Sequence, residues 1–195
     1  MIDGVSRETS EKLEAYVSML LAESRQQNLI SSSTEADVWD RHIRDSLQLL
    51  DLAKGRTWAD VGSGAGLPGI PIAIASDAPI VLIEPRAKRV QFLTDVVDHL
   101  GLANASIHHG SASSASGAFD VITARAVAPL DRLLGLTWHL AHAGTTFVFP
   151  KGRNAQSELE TATRSWQGDF RLRPSVTSDE AAVVVATNVR RRGKR

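Results

Sequence analysis

Apolar side chains recur every three or four positions over the first quarter of the chain, which is the spacing of amphipathic helices. The first stripe consists of Leu13, Tyr16, Val17, Leu20 and Leu21. A serine-rich break at 31–34 follows, and Ser33 or Thr34 can cap a second helical stretch that runs to about Ala53. We therefore expect an N-terminal helical cap over residues 1–55.

Beyond the cap, short apolar runs alternate with helical patterns. The predicted strands are Thr57–Val61, Pro79–Glu84, Ala105–His109, Phe119–Ala124, Thr145–Pro150, Phe170–Arg173 and Ala182–Thr187. The predicted helices are Leu67–Ser76, Ala87–Leu100, Pro129–His139 and Ala155–Ser165. This alternation predicts an α/β fold with a doubly wound, mostly parallel sheet over residues 56–189, whose last two strands form an antiparallel edge.

Composition narrows the class of protein. The chain has 195 residues and no cysteine, so disulfides and cysteine-ligated metals are excluded. We also see no apolar run near the roughly 18 residues that span a bilayer, and no secretory leader. The histidines show no metal-ligand spacing with acids, so no metal is expected. The sequence predicts a cytoplasmic protein without a membrane segment; it leaves the oligomeric state open, with a monomer expected.

Charge is distributed unevenly although the net charge is zero. Residues 1–100 carry 10 Lys and Arg against 15 Asp and Glu, and residues 101–195 carry 12 against 7. The segment 190–195, RRRGKR, is predicted to be a basic C-terminal tail. Such a tail suits nucleic acid, whose phosphates supply much of the binding energy, and a solvated, disordered end is the alternative.

The segment Asp60–Pro71, DVGSGAGLPGIP, is typical of a strand end, a sharp turn and a helix start. It contains G-x-G-x-x-G, a weak dinucleotide signal on its own. An acid at Asp60 repels a pyrophosphate but suits the amino group of S-adenosylmethionine. Glu84 ends the next strand, where an acid accepts hydrogen bonds from ribose. S-adenosylmethionine is therefore favoured over NAD, and a turn without a ligand is the remaining alternative.

These residues closely resemble the RsmG family, also called glucose-inhibited division protein B. The Leu-Pro-Gly-Ile-Pro continuation of the glycine motif makes the match specific. Further matches, in the family's order, are Asn28-Leu29, Arg41–Leu47, Lys88–Leu93, Ala124–Ala128 and Lys151-Gly152. The resemblance implies a class I, Rossmann-like methyltransferase that uses S-adenosylmethionine. It also implies methylation of guanine N7 in the decoding-region loop of 16S rRNA, with 16S rRNA or the small ribosomal subunit as partner.

The cofactor is expected to lie on the glycine motif. The residues predicted to bind it are Asp60, Gly62, Gly64, Gly66, Leu67, Glu84, Ala112, Ser113 and Arg125. Of these, Ala112 and Ser113 are expected to bracket the adenine because the family places this loop there. The family has Gly-Arg-Ala-Glu where this chain has Gly110–Ser113, so a side-chain contact from Ser113 is in question while backbone contacts can persist.

Four residues are candidates for catalysis. Arg125 ends the fourth strand, on the edge of the sheet where ligands bind. The family resemblance implies that it lies beside the cofactor, either on its carboxylate or on guanine O6, and a surface arginine is the alternative. His42 and Asp45 stand three apart on one helix face. A lone helix histidine is by itself more often structural, but the family resemblance implies that this pair contacts RNA or closes the cofactor pocket. Lys151 is a candidate for a phosphate or guanine O6, and a solvated lysine is the equal alternative.

Two other functions stay open on the residues alone. An NAD- or FAD-dependent oxidoreductase could use the same sheet, but it gains nothing from the His42–Asp45 pair or the basic tail. A non-catalytic RNA-binding protein could keep the fold, and the altered Gly110–Ser113 loop is its only support.

Overall fold

The computed structural model describes residues 6–193. Residues 1–5 of the predicted cap, and Lys194 and Arg195 of the predicted tail, lie outside the described residues. Within the described range, one seven-stranded sheet has the order β3-β2-β1-β4-β5-β7-β6. The strands are β1 (Trp58–Val61), β2 (Ile80–Glu84), β3 (Ala105–His109), β4 (Phe119–Thr123), β5 (Ala141–Lys151), β6 (Trp166–Pro174) and β7 (Ala182–Arg191).

Strand direction confirms the predicted sheet. β1 pairs in parallel with both β2 and β4, and the outer pairs β2–β3 and β4–β5 are also parallel. β7 lies antiparallel between β5 and β6 and forms the predicted antiparallel edge. The strand order reverses beside β1, so the loop after β1 lies at the topological switch point, where open α/β sheets bind ligands.

Helices cover both faces of the sheet. They are α1 (Arg7–Gln27), α2 (Asp45–Leu47), α3 (Leu49–Leu52), α4 (Gly69–Ala75), α5 (Ala87–Leu100), α6 (Leu130–Thr137) and α7 (Ala155–Ser165). One core joins α1, α4 and α5 to one face, and a second core joins α6 and α7 to the other. The described part of the predicted cap therefore shares its core with the sheet. Within residues 6–193, no helix has the length and apolar character needed to cross a membrane.

The second helical stretch is less regular than predicted. A 3₁₀ turn at Ser32–Thr34 precedes a π-helical segment, Trp39–Arg44, which continues into α2 and α3. The predicted capping by Ser33 or Thr34 is wrong, because this stretch begins without a side-chain cap. Thr34 Oγ1 instead lies 2.9 Å from His42 Nε2, which ties the break to the π-helical segment. Such π-helical insertions are frequent at functional sites.

Three strands are clearly longer than predicted, and other strand limits differ by one residue. β5 begins at Ala141 and β6 at Trp166, and β7 continues to Arg191. Arg190 and Arg191 therefore pair with β6 rather than forming part of a free tail. The added residues, 141–144, 166–169 and 188–191, include glycine and several polar or charged side chains, so their backbone pairing leaves little hydrophobic signal in the sequence.

The packing of α1 predicts a graded effect of shortening two adjacent leucines. Leu20 is fully buried and Leu21 is half-buried. Leu20→Ala is expected to lower the free energy of unfolding by about 2–5 kcal/mol, because it removes buried methyl groups and leaves a cavity. Urea denaturation measures this loss, with Leu21→Ala as the matched control. Equal effects of the two variants would contradict the integration of α1 into the core.

Candidate active site

The loop between β1 and α4 turns through three glycines in the left-handed region. Gly62, Gly64 and Gly66 have φ values of 73°, 57° and 87°. A Cβ atom at Gly66 would lie 2.5 Å from Ile70 Cγ1, and one at Gly62 would lie 2.6 Å from Val127 Cγ2. Larger residues are therefore excluded by backbone conformation and by space. Bare backbone remains at the switch point, as close approach to a ligand requires.

Asp60 lies under this loop with its carboxylate fully buried. Oδ2 accepts a hydrogen bond from the Gly69 N–H at 3.1 Å, whereas Oδ1 has no partner among the described residues. Burial raises the pKa of Asp60 to about 7, against the opposing effects of hydrogen bonds and of the Arg125 charge. An unpartnered buried carboxylate oxygen attracts a cation, so this position suits the ammonium of a methionine moiety.

Glu84, at the end of β2, faces the same loop and is 2% exposed. Its Oε2 accepts from the Gly64 N–H at 2.8 Å and its Oε1 accepts from the Arg86 N–H at 2.9 Å. Each oxygen keeps further acceptor capacity after one bond. The carboxylate is thus fixed by backbone and can accept from the two hydroxyls of a ribose.

The remaining predicted cofactor residues differ in exposure. Leu67 is buried directly after the glycine turn. Ala112 and Ser113 lie in a short 3₁₀ turn after β3, where Ser113 is exposed and Ala112 is half-buried. The Ser113 hydroxyl bonds to Ser111 Oγ at 2.9 Å. This loop lies beyond the carboxyl end of β3, so its backbone is available to an adenine while the Ser113 side chain is bonded within its own turn.

Tyr16 is a site residue that sequence reasoning assigned only to the core. Its ring is fully buried in the α1 stripe, as predicted, but its hydroxyl donates a 2.8 Å hydrogen bond to the Ala65 carbonyl of the glycine loop. Burial raises the pKa of Tyr16. The N-terminal helix therefore holds the loop directly. The presence of the chain's only tyrosine in an otherwise aliphatic stripe was the available signal.

A cavity of about 650 Å³ opens beside the glycine loop, and the four predicted catalytic residues line it. Arg125, just after β4, reaches across to the π-helical stretch. Its Nη1 lies 3.6 Å from Asp45 Oδ2 and donates to the Arg41 carbonyl at 3.3 Å. Burial lowers the pKa of Arg125 from its ordinary value, and the Asp45 carboxylate opposes that shift. The structure thus brings together Arg125 and Asp45, which the sequence left unconnected.

Asp45 also holds the β6–β7 loop. Its Oδ1 accepts from Gln48 Nε2 at 2.8 Å, from Thr177 Oγ1 at 3.1 Å and from Ser175 Oγ at 3.3 Å. Both carboxylate oxygens therefore have partners. Asp45 is a positioning residue that fixes Arg125 and one wall of the cavity. Ser175 and Thr177 were missed because they are distant in sequence, and Gln48, three residues from Asp45, because it belongs to no motif.

Lys151 forms the opposite wall and is not a solvated lysine. Its side chain is 8% exposed, with Nζ at 2.9 Å from Glu158 Oε2 and at 2.7 Å from the Ala128 carbonyl. Glu158 Oε2 also accepts from the Leu130 N–H at 2.8 Å, at the start of α6. Two of the three ammonium donors are thus used to hold the segment after Arg125. Lys151 remains a prediction as an RNA contact, with one donor left for it.

His42 is buried and neutral. Thr34 Oγ1 donates to the Ser31 carbonyl, so its 2.9 Å contact with His42 Nε2 requires the imidazole nitrogen to donate. Nδ1 is then a bare acceptor, and it has no partner among the described residues. Burial, followed by the charges of Arg125 and Arg41, lowers the pKa of His42 to about 4. This environment favours the predicted pocket-closing role over a charged contact with RNA.

Comparison with known proteins gives a family and a fold. The family model described as rRNA small subunit methyltransferase G matches residues 9–182. Two relatives named ribosomal RNA small subunit methyltransferase G are similar over most of both chains. The Zymomonas mobilis protein is 45% identical over 95% of this chain and 89% of its own, and the Rhizorhabdus wittichii protein is 47% identical over 97% and 90%.

Solved structures share the fold at low sequence identity. A glycopeptide N-methyltransferase complexed with S-adenosylmethionine has a TM-score of 0.63 at 9% identity, covering 75% of this chain and 93% of its own. A methyltransferase described as dependent on S-adenosylmethionine, from Corynebacterium glutamicum, has a TM-score of 0.56 at 16% identity, covering 74% and 87%. The predicted class I, Rossmann-like fold is confirmed, with the glycine loop at its switch point.

The environment of Asp60 predicts a specific pH dependence of stability. The pKa of Asp60 is about 7 in the folded protein and 3.8 for an unperturbed aspartate, so between these pH values the folded state keeps a proton that the unfolded chain releases. Stability is expected to fall by up to about 4 kcal/mol as the pH rises through this window. Asp60→Asn removes that fall, which urea denaturation between pH 4 and pH 8 measures.

The same variant separates stability from binding. Asp60→Asn is expected to bind S-adenosylmethionine more weakly in calorimetry, because the carboxylate charge beside the loop is lost. Asp51→Asn, at an exposed position, is the control and is expected to change neither quantity. An unaltered pH profile in Asp60→Asn would contradict the raised pKa.

Proposed function

Because this chain belongs to the rRNA small subunit methyltransferase G family, we propose that it methylates N7 of a guanine in the decoding-region loop of 16S rRNA. Membership of this family establishes that the chain is a methyltransferase of small-subunit rRNA that uses S-adenosylmethionine. The resemblance inferred from the sequence is confirmed, and the oxidoreductase alternative is not supported. The guanine, its N7 atom and the roles of single residues belong to the proposal.

The observation that carries the proposal is the state of the titratable groups around the cavity. The pKa of His42 is lowered to about 4, so its Nδ1 is a weak base. Asp45 accepts three hydrogen bonds on Oδ1 and has Oδ2 beside Arg125. Glu158 pairs with Lys151. Asp60 is buried beneath the loop and does not line the cavity. Few of these groups are free to remove a proton from a substrate. Guanine N7 has an in-plane lone pair and no proton to lose, so it suits a site without a general base.

S-adenosylmethionine, when bound, supplies an electrophilic methyl group on a sulfonium centre. Asp60 would hold its ammonium group and Glu84 its ribose. The backbone of the glycine loop would contact its methionine part. Catalysis then consists mainly of placing N7 in line with the methyl group, and orientation of this kind lowers a barrier by several kcal/mol. A target base in structured RNA must first be splayed out of its stack.

The two ion pairs on opposite walls present both donors and acceptors to a planar base. Arg125 has guanidinium N–H groups beyond those that contact Asp45 and Arg41, and these can donate to guanine O6, the acceptor next to N7. Asp45 and Glu158 offset the charges of Arg125 and Lys151. That balance matters because the guanine ring gains positive charge as its N7 accepts the methyl group.

The place of action follows from the substrate. We propose that the protein works in the cytoplasm, on 16S rRNA within the small ribosomal subunit or its precursors.

Methyl transfer from labelled S-adenosylmethionine to small-subunit particles that lack the modification tests the proposal. Label is expected in 16S rRNA, released by chemistry specific for 7-methylguanine. Arg125→Ala is expected to lower kcat/KM about 100-fold, because one cavity wall loses its fixed position. Arg7→Ala, which breaks an exposed ion pair with Glu11, is the control and is expected to retain activity.

Two outcomes would contradict the proposal. Label that is not released by the chemistry specific for 7-methylguanine would refute N7 methylation, and cofactor binding without transfer would favour the non-catalytic alternative. Unchanged kcat/KM in Arg125→Ala would remove Arg125 from the site.

A further inference from the structure

A second charged surface lies away from the cavity, where α7 ends and β7 finishes. We call it the arginine groove, and its basic residues are Arg132, Arg164, Arg190, Arg191 and Arg192. All five are exposed, and none has a carboxylate oxygen within 4.0 Å in the range 6–193. By contrast, the two buried cations of the cavity, Arg125 and Lys151, are each paired with an acid.

The groove is a shaped cleft rather than a scatter of surface charge. A cavity of about 660 Å³ lies between α6 and the start of β6, lined by four of these arginines and one carboxylate, Asp131. Asp131 accepts a 3.1 Å hydrogen bond from Trp166 Nε1, so one of its carboxylate oxygens is bonded to the indole rather than to an arginine. The net charge of the cleft is therefore strongly positive.

Two of the arginines are held in place by backbone and by an indole ring. Arg192 Nε donates to the Thr163 carbonyl at 2.8 Å and to the Trp166 carbonyl at 3.2 Å. The Arg191 guanidinium lies 5.2 Å from the centroid of the Trp166 ring. Ordered guanidinium groups lose less entropy on binding an anion, and each keeps N–H donors for a phosphate.

The groove connects spatially to the active site through α6. Pro129, which precedes α6, lines the catalytic cavity, and Arg132 lies in the first turn of the helix. At the other end, Arg191 lies toward the amino edge of β5, because Lys151 at the carboxyl end of β5 pairs with Ala182. An eight-residue helix is about 12 Å long. The groove therefore leads away from the cavity over a distance that several phosphates of one strand span.

An indole on the rim adds a second kind of contact. Trp138 is 44% exposed, although its ring lies 6.4 Å from that of Trp166 and its Nε1 donates to the Val189 carbonyl at 3.1 Å. Proteins bind single-stranded nucleic acid with this combination: an aromatic ring stacks on a base, and neighbouring arginines contact the phosphates.

We propose that the arginine groove binds the sugar–phosphate backbone of 16S rRNA outside the target nucleotide. The inference rests on the proposed function, since it assumes that the chain acts on rRNA. Phosphate contacts position an enzyme on its substrate without reading sequence, and their strength falls with salt. The groove thus supplies affinity and register, while the cavity supplies the chemistry.

Reversal of one charge tests the proposal in the full-length protein. Arg164 lies in the last turn of α7, and Arg25, also exposed, lies in the last turn of α1. Arg164→Glu and Arg25→Glu therefore change the same charge at equivalent helix positions. Arg164→Glu is expected to raise KM for small-subunit particles about tenfold, with kcat and S-adenosylmethionine affinity unchanged, whereas Arg25→Glu leaves all three unchanged.

Salt dependence and a conservative variant add readouts that loss of stability would not move. The slope of log K against log salt for protein-free 16S rRNA is expected to fall by about 1 in Arg164→Glu. Arg164→Lys is expected to keep most of the binding, because a phosphate accepts either cation. If Arg164→Glu does not fold, Arg132→Glu on α6 tests the same groove.

Several results would overturn the proposal without touching the methyl-transfer activity. A wild-type enzyme that methylates 16S rRNA, together with equal KM values for Arg164→Glu and Arg25→Glu, would exclude the groove. Weaker binding to assembled particles but not to protein-free 16S rRNA would identify a ribosomal protein as the partner instead. Failure of the wild-type protein to methylate rRNA would count against the proposed function. Binding of protein-free 16S rRNA by Arg164→Glu and the wild type would still test whether the groove contacts RNA.

Discussion

The buried carboxylate of Asp60 is the constraint on which the site depends. A charge at the end of the central strand is costly, and within residues 6–193 only one of the two carboxylate oxygens has a hydrogen-bond partner. That partner, the Gly69 N–H, can approach only because residue 69 has no side chain: a Cβ there would lie 2.7 Å from Asp60 Oδ2. The free acceptor, Asp60 Oδ1, is thus part of one arrangement with the glycine-rich turn and the start of α4. This arrangement lowers the stability of the fold and provides a binding position for a cation.

Charges elsewhere in the site are balanced in pairs. Arg125 with Asp45 joins segments that are far apart in sequence, and Lys151 pairs with Glu158 on the other side. The two pairs form two walls of one cavity. Each pair also bonds to a backbone carbonyl, of Arg41 and of Ala128 respectively. The walls are therefore positioned by the same groups that set the local potential. A substrate that becomes cationic during reaction meets a site whose carboxylates are already fixed.

Much of this molecule could be predicted from its sequence, and the reasons are local. Helix α5 has the predicted limits, because Gly101 ends it in the left-handed conformation. The strand–turn–helix with its acid at Asp60 was also predictable, since glycine and proline restrict the backbone at single positions. The partners of Lys151 and the tautomer of His42 were not, because they depend on how neighbouring elements pack against each other, which no local pattern in the sequence encodes. The extension of β7 through Arg191 was missed for a related reason, namely that ladder hydrogen bonds are formed by backbone.

The bond from Tyr16 to Ala65 has a consequence for the dynamics of the chain. It makes the first helix a mechanical support of the loop that receives the cofactor, although 49 residues separate the two groups. Coupling between two parts of a molecule is reciprocal, so a ligand that orders the loop must also hold the helix more tightly. Amide hydrogens of α1 should then exchange with solvent more slowly when the cofactor is bound. Hydrogen exchange in the N-terminal helix would thus report whether the cofactor site is occupied, although that helix itself lies beneath the loop.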